Sequence, residues 1–393
     1  MPMTDLRSHM PASMNAVPTA AMTPLDPPER LLMGPGPSNP DPRVLAAMSK
    51  TLVGHLDPYF VHLMDETMSG LRGVYRTAND HTLPISATGS AGLETIMMNL
   101  LEQGDRAVVA ITGYFGQRLA EMARRAGAEV ETVEAEPGEI VDPVAVEHAL
   151  GKGKTKLLAF VHVETTTGAR QPIEPMVAAA KKHGALVAMD CVTSLGGVPI
   201  DIDAQGVDAA GSCSQKCLGA PPGLGPITIS PLAMEAVRAR KTKPHTWYMD
   251  LALLFQYWGD SGAEKKRAFH HTAPISSIYG FHEAIRIILD EGLEARWARH
   301  QKAHDVLARG LEKLGLSLFT PAANRCPTIN VIAVPSGVDE AKVRSRMLER
   351  GVEMSGGLGQ LAGKVWRVGV MGHNAQPERV ERFLGALGES LKS

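Results

Sequence analysis

The sequence predicts an α/β protein, with a large domain built on a largely parallel sheet and a smaller α/β domain at its C-terminal end. Three observations carry this expectation. Between about residues 80 and 230, short apolar runs alternate with amphipathic helical stretches. Strands that are apolar on both faces and separated by helices form parallel sheets covered on both sides. Past about residue 280 the pattern becomes a long helix followed by strand, helix, strand and helix. The length, 393 residues, exceeds what one small core accommodates. The expected organisation is a tail over residues 1–29, a large domain over 30–285 and a small domain over 286–393.

Taken in order, Arg106–Thr112 reads as a strand and Gly116–Ala126 as a helix. Glu129–Val133 is a short strand, and Pro143–Leu150 a helix. Lys156–Val163 is a strand, Met176–His183 a helix and Ala185–Asp190 a strand. Val207–Ser212 and Gly225–Ser230 are two more strands. Phe281–Leu314 reads as a long helix punctuated by Gly292. A strand at Thr328–Val334, a helix at Glu340–Arg350, a strand at Lys364–Val370 and a helix at Pro377–Leu391 complete the chain. Ligands of such sheets sit where the strands hand over to loops at their C-terminal ends, and the chemically telling residues fall there.

Composition narrows the function. Apolar residues make up 44% and charged residues 21%, the balance of an ordinary soluble protein, so disorder of the whole chain is excluded. Lys and Arg total 40 against 42 Asp and Glu, a net charge of −2. No basic excess is present to track a phosphate backbone, so nucleic acid is not an expected partner. No run approaches the roughly 18 apolar residues of a membrane span. The N-terminus lacks the pattern of a signal peptide, and with Arg7 its only internal basic residue before Arg30 it is poor in Arg for a transit peptide. The tail is expected to be mobile or to pack on a partner subunit. Cys191, Cys213, Cys217 and Cys326 have no second Cys or His pair at zinc-site spacing, which suggests buried thiols in a reducing, cytoplasmic setting and no metal. His270 and His271 are expected to point apart along extended chain and so to pack or cap.

Three segments carry chemistry. Ser212–Gly223 follows a strand, ends in a Pro/Gly turn and holds Lys216 among Ser, Gln, Gly and Pro with no acid nearby. A lysine that forms a Schiff base must be partly desolvated so that its amine can be neutral. Asp190 ends an apolar strand 26 residues earlier; a buried carboxylate at a pyridine nitrogen is what pyridoxal phosphate requires beside its lysine. Ile85–Glu94 sets small residues before an amphipathic helix, which offers free N–H groups of Thr88, Gly89 and Ser90 to a phosphate. It lacks both the dinucleotide fingerprint and the P-loop ending, so a nicotinamide-dependent dehydrogenase is not expected. Taken singly, each segment has an ordinary reading: a solvated lysine, a turn acid, a capping loop.

Their order is more specific. The small-residue loop, an aromatic pair after a glycine in Gly113–Arg118, Glu164–Gly168, the strand ending at Asp190 and Ser214–Lys216 follow one another. With Gly34–Asn39, Lys241–Pro244, Tyr248–Asp250, Tyr257–Gly259, His270–Thr272, Gly356–Gly359 and Lys364–Gly369, this order resembles the class V aminotransferases of fold type I, most nearly their alanine–glyoxylate / serine–pyruvate group. The resemblance runs from about Leu32 to the C-terminus. It implies pyridoxal 5′-phosphate as cofactor and a large domain with a mainly parallel seven-stranded sheet. Position by position, it implies Lys216 as the Schiff-base lysine and proton carrier, and Asp190 as partner of the pyridine nitrogen. Phe115 would stack on the ring, where many relatives have Trp. Thr165 would lie near the phenolic oxygen, Val192 on the opposite face, and Thr88, Gly89, Ser90 and Gln215 around the phosphate. Thr272 would reach the phosphate from a second subunit, and Phe269 stands where alanine–glyoxylate enzymes usually carry Tyr.

Arg367 lies in an apolar strand, on the face of Val365 and Gly369. An arginine there needs an anion, and its planar fork suits a carboxylate; an internal acid would serve, but the resemblance implies the α-carboxylate of an amino acid. The Gly34–Pro37 segment, with Gly36 at its centre, implies a pocket wall without long side chains and hence a small substrate. The expected reaction is ping-pong transfer of an amino group from alanine or serine to glyoxylate or pyruvate in a homodimer with a shared site. Ureidoglycine–glyoxylate and pyridoxamine–pyruvate transamination are the alternatives within the fold. A non-catalytic cofactor-binding regulator is the alternative from another class, although residues 1–29 are short and not basic.

Overall fold

The computed structural model describes residues 22–259 and 267–392; the expected tail therefore falls mostly outside the described residues, and residues 22–29 are irregular and exposed. Twelve strands occur among the described residues. They are β1 (Leu31–Leu32), β2 (His81–Ile85), β3 (Arg106–Ile111), β4 (Glu129–Glu134), β5 (Leu157–Val161) and β6 (Leu186–Asp190). The others are β7 (Ala209–Gly211), β8 (Gly225–Ile229), β9 (Ile329–Ala333), β10 (Val352–Glu353), β11 (Ser355–Gly356) and β12 (Val365–Gly369). The large sheet has seven strands in the order β2-β8-β7-β6-β5-β3-β4. All pairs from β7 through β4 are parallel, whereas β8 is antiparallel to both its neighbours.

The expected strands are all present within a few residues, and the sheet is fully buried through β5, β6 and β8. Strand β2 was not anticipated, because Pro84 sits at its centre. Proline removes a ladder donor and is tolerated on sheet edges, and β2 is an edge strand, with Pro84 opposite Pro226 of β8. Helices start where the sequence supplies a cap: Asp57, Asp142 and Ser230 each accept a backbone N–H of the first turn and precede a proline. The single punctuated helix expected after residue 281 is two, Ile275–Glu291 and Leu293–Lys313, with Gly292 at φ +80° between them.

Two large buried clusters divide the apolar side chains. The first joins the seven-stranded sheet to its helices and ends at Leu293. The second gathers Leu31, Met33, Ala303, Leu307, Trp366, Val368 and Phe383 among others. The second core is built on the antiparallel sheet β11-β12-β9 and the parallel pair β1-β10. The buried side chains pass from the first cluster to the second along the helix Leu293–Lys313. Leu31–Met33 belong to the second core although they precede the whole large sheet. Their backbone is held there by Met33 donating to Glu353 and Gly369 donating to Met33, both at 2.9 Å.

Candidate active site

The C-terminal ends of β2, β3, β5, β6 and β7 open on one edge of the large sheet, and their loops carry the chemistry. Asp190 closes β6 and is 3% exposed. Its Oδ1 accepts the Val192 N–H at 2.8 Å. Burial pushes its pKa up to about 6; the Val192 bond, the Arg118 charge and Lys216 act against that rise, while Glu164 adds to it. Lys216 lies in the loop after β7, on the strand next to β6. Burial pulls its amine below the usual lysine range, and the nearby Arg367 charge pulls the same way, against the thiols of Cys213 and Cys217 and the Asp190 carboxyl. Its Nζ donates to the Pro35 carbonyl.

The Gly34–Pro37 segment runs over this lysine. A Cβ at Gly36 would lie 2.6 Å from Lys216 Cδ and 2.8 Å from its Nζ, and Gly36 sits at φ +120°. Only glycine combines that backbone conformation with that clearance. Ser38 pins the segment from the other side: its N–H donates to the Gln215 carbonyl at 2.9 Å and its Oγ to the Lys216 carbonyl at 3.0 Å.

The expected phosphate loop leads from β2 into the helix Gly89–Leu100. Thr88 is the N-cap and makes no side-chain cap bond. Gly92 N–H bonds back to Thr88 O at 3.1 Å, so the donors of Gly89, Ser90 and Ala91 belong to the unspent first turn. The helix start is pressed against the lysine loop: a Cβ at Gly89 would sit 2.5 Å from Cys213 Cβ and 2.9 Å from the Ser212 carbonyl. Gln215 stands beside it with its buried Oε1 unbonded among the described residues. Sequence order placed these residues together, and the structure brings them to one site.

Phe115 lies in the first turn of the helix Tyr114–Arg125. The Arg118 guanidinium stacks 4.6 Å from its ring centre, and the buried Arg118 Nε has no partner among the described residues. Thr165 is 4% exposed, and its hydroxyl meets that of Thr193 at 2.6 Å. Val192 is half-buried beside Asp190. Arg367 is 6% exposed on β12, opposite Val331 of β9 and Ser355 of β11. Its Nε donates to Gly356 O at 2.7 Å, and no carboxylate pairs with it among the described residues. Thr272 stands apart: it is exposed and makes no hydrogen bond among the described residues.

Several participants were not singled out from sequence. Glu164, fully buried, accepts the N–H groups of Phe115 and Gly116 on Oε2 (3.1 and 3.3 Å) and of Thr166 on Oε1 (3.0 Å). It caps from outside a helix whose own N-cap, Gly113, has no side chain to do so. Its signal was available, since an acid just past an apolar strand, as Asp190 is, reads as a site residue. Arg118 and Thr193 gave no such signal. One expectation is corrected: His270 and His271, expected to point apart, meet through their Nδ1 atoms at 2.8 Å. They do not lie on a strand, and the irregular backbone lets adjacent rings converge. No group of His, Cys, Asp or Glu suited to a metal occurs among the described residues, and all four cysteines are buried and free.

An α/β chain that brings a half-buried lysine and a buried carboxyl to neighbouring strand ends, with a buried arginine that has no carboxylate partner among the described residues, carries the groups of an active site. The model of the class-V aminotransferases matches residues 31–383, and the chain belongs to that family. It is similar to alanine–glyoxylate aminotransferase of Oryctolagus cuniculus, 41% identical over 96% of each chain. The solved alanine–glyoxylate aminotransferase of Nostoc sp. superposes with a TM-score of 0.91 at 48% identity, covering 95% of this chain and 98% of that one. The ureidoglycine–glyoxylate aminotransferase of Bacillus subtilis does so with 0.89 at 36% identity, covering 94% of both.

Proposed function

We propose that this aminotransferase uses pyridoxal 5′-phosphate to move an amino group from alanine or serine to glyoxylate or pyruvate. The carrying observation is the triangle of Lys216, Asp190 and Arg367: two cations and one buried carboxyl within electrostatic reach of one another. The residues present fit the cofactor. Asp190 has the burial and the position to keep a pyridinium protonated. The Gly89–Ala91 turn offers unspent N–H donors, which suits a phosphate, and Gln215 would serve it through its amide NH2. Phe115 and Val192 supply apolar faces for a flat ring, and Thr165 a hydroxyl at its edge. When bound, the cofactor supplies the electron sink that makes the Cα proton of an amino acid removable.

The chain's own residues do the rest. Arg367 holds the substrate carboxylate; its Nε is spent on Gly356 O, and with no carboxylate partner among the described residues its two terminal nitrogens are available. Lys216 anchors the cofactor and then, as a free amine, takes the Cα proton; burial lowers its pKa and so favours the neutral form that a base requires. Gly36 closes the pocket with backbone alone, which limits the donor to a small side chain. The exposed Thr272 and Phe269 suit contacts to the site of a second subunit, so we read the enzyme as a homodimer, working in the cytoplasm.

The test is the absorbance spectrum of the purified protein before and after L-alanine and then glyoxylate. A visible band that alanine bleaches and glyoxylate restores supports both half-reactions. A band unchanged by alanine keeps the cofactor and moves the donor to serine, ureidoglycine or pyridoxamine. No band even with added cofactor overturns the reading.

A further inference from the structure

The first turns of the helix Leu293–Lys313 hold both halves of the site. Arg296, 3% exposed, uses its fork in three directions. Nε donates to Gly196 O at 3.0 Å, Nη2 to Cys217 O at 2.6 Å, and Nη1 meets Glu291 Oε2 at 2.8 Å. Arg299, one turn on, donates through Nη1 to Gly372 O at 2.9 Å and Ala375 O at 2.8 Å. Its Nε and Nη2 take the same Glu291 carboxylate at 2.5 and 3.0 Å. His300 adds a third tie, its Nε2 accepting the Gly372 N–H at 3.1 Å. Burial drives the His300 pKa down to about 3, so the ring is neutral and able to accept.

The two ends of this cluster are the two ends of the chemistry. Cys217 directly follows Lys216. Gly372–Ala375 forms the turn just after β12, the strand of Arg367. The bend at Gly292 turns the chain between Glu291 and the two arginines that share it. No slack remains between the halves, since a Cβ at Gly372 would lie 3.2 Å from Lys216 O and 3.3 Å from Cys217 O. A cavity of about 370 Å³, lined by Leu218, Gly219, Arg296, Arg299 and His373 among others, borders the cluster, so a loosened arginine has room to swing away.

We propose that Glu291, Arg296 and Arg299 are positioning residues that fix the separation of Lys216 from Arg367. An amino acid held by its carboxylate then presents its Cα to the lysine amine. The proposal rests on the roles given above to Lys216 and Arg367. None of the three residues touches substrate. The two arginines act through backbone carbonyls beside the residues that do, and the half-buried Glu291 carboxylate that they share holds them in place. A lysine in place of Arg296 carries the charge but cannot reach three acceptors from one planar group.

The experiment compares cofactor-loaded wild type with Arg296→Lys, Arg299→Lys and Glu291→Gln. The readouts are the visible band, kcat and KM for L-alanine, the isotope effect with Cα-deuterated alanine, and Tm. The expected result is an intact band with kcat lowered on the order of 100-fold, the loss that about 1 Å of misplacement brings. The isotope effect rises, because the proton step at Cα becomes limiting. A lower Tm with unchanged kcat and isotope effect overturns the proposal and leaves the cluster purely structural. Should Arg296→Lys not fold, the half-buried Arg299→Lys carries the same comparison. Absence of band and turnover in wild type itself refutes the underlying reading before any variant is made.

Discussion

Asp190 shows at the scale of one residue how function opposes stability. Its folded pKa is raised from 3.8 to about 6, chiefly by burial. Below pH 3.8 the carboxyl is protonated in both folded and unfolded chains, so no cost exists. The cost builds as pH rises from 3.8 to about 6 and is complete above, because the folded chain then holds the charge less willingly than the unfolded one. Its full size is about 3 kcal/mol. Asp190→Asn in cofactor-free protein is therefore expected to raise unfolding free energy by up to about 3 kcal/mol near pH 8 and by almost nothing near pH 4. Denaturant titrations at the two pH values measure this, and the same variant loses turnover. Lys216→Ala is expected to abolish turnover outright; steady-state rates like those of wild type would sink the assignment.

At the scale of an element, β12 separates two kinds of loss on its two faces. Trp366 is fully buried in the second core and donates its Nε1–H to the Glu340 carbonyl at 3.2 Å. Trp366→Ala is expected to cost about 3–5 kcal/mol, read as a fall in unfolding free energy. Arg367, its neighbour, faces the other way and has no carboxylate partner among the described residues, while burial pulls its pKa down. Arg367→Met is expected to leave Tm unchanged or slightly higher and to raise KM for alanine at least tenfold, the loss of one charged hydrogen bond of about 1.5–3 kcal/mol. Equal KM values for variant and wild type would remove Arg367 from the substrate site. The Gly34–Pro37 segment that follows β1 is its counterpart. It lies so close to the end of β12 that a Cβ at Gly369 would strike the Gly34 carbonyl.

At the scale of the whole molecule, the described chain leaves large apolar side chains in water: Leu52, Tyr59, Trp247 and Phe269 are each 61% exposed. Under the proposed homodimer such side chains would be covered by the partner, and Thr272 would serve the partner's site. Thr272→Ala is expected to weaken cofactor binding about fivefold, and Phe269→Tyr to strengthen it by a similar factor, each being one hydrogen bond of about 1 kcal/mol. Equilibrium titration of the visible band against added cofactor measures both. Sedimentation at falling protein concentration then shows whether affinity is lost as the dimer dissociates.

What the sequence determined by itself was local and ordered. Period, caps and turn residues placed the strands β3 to β8, the helices between them, and the loops bearing Thr88, Asp190 and Lys216, because each of these depends on neighbours in the chain; Phe115 and Thr165 were marked only by the family resemblance. The edge strand β2 was hidden by Pro84, whose missing donor is harmless only at a sheet edge, and edges are not visible in a sequence. What tertiary structure alone decided was proximity across long separations. Leu31–Met33 join a core otherwise made after residue 300, and Gly36 clears a lysine 180 positions away. Glu164 caps a helix that begins 50 residues before it. Arg296 and Arg299 bridge Cys217 to the Gly372 turn. These contacts arise when distant segments pack together and each buried polar group must find its partner, a requirement that spacing along the chain does not encode.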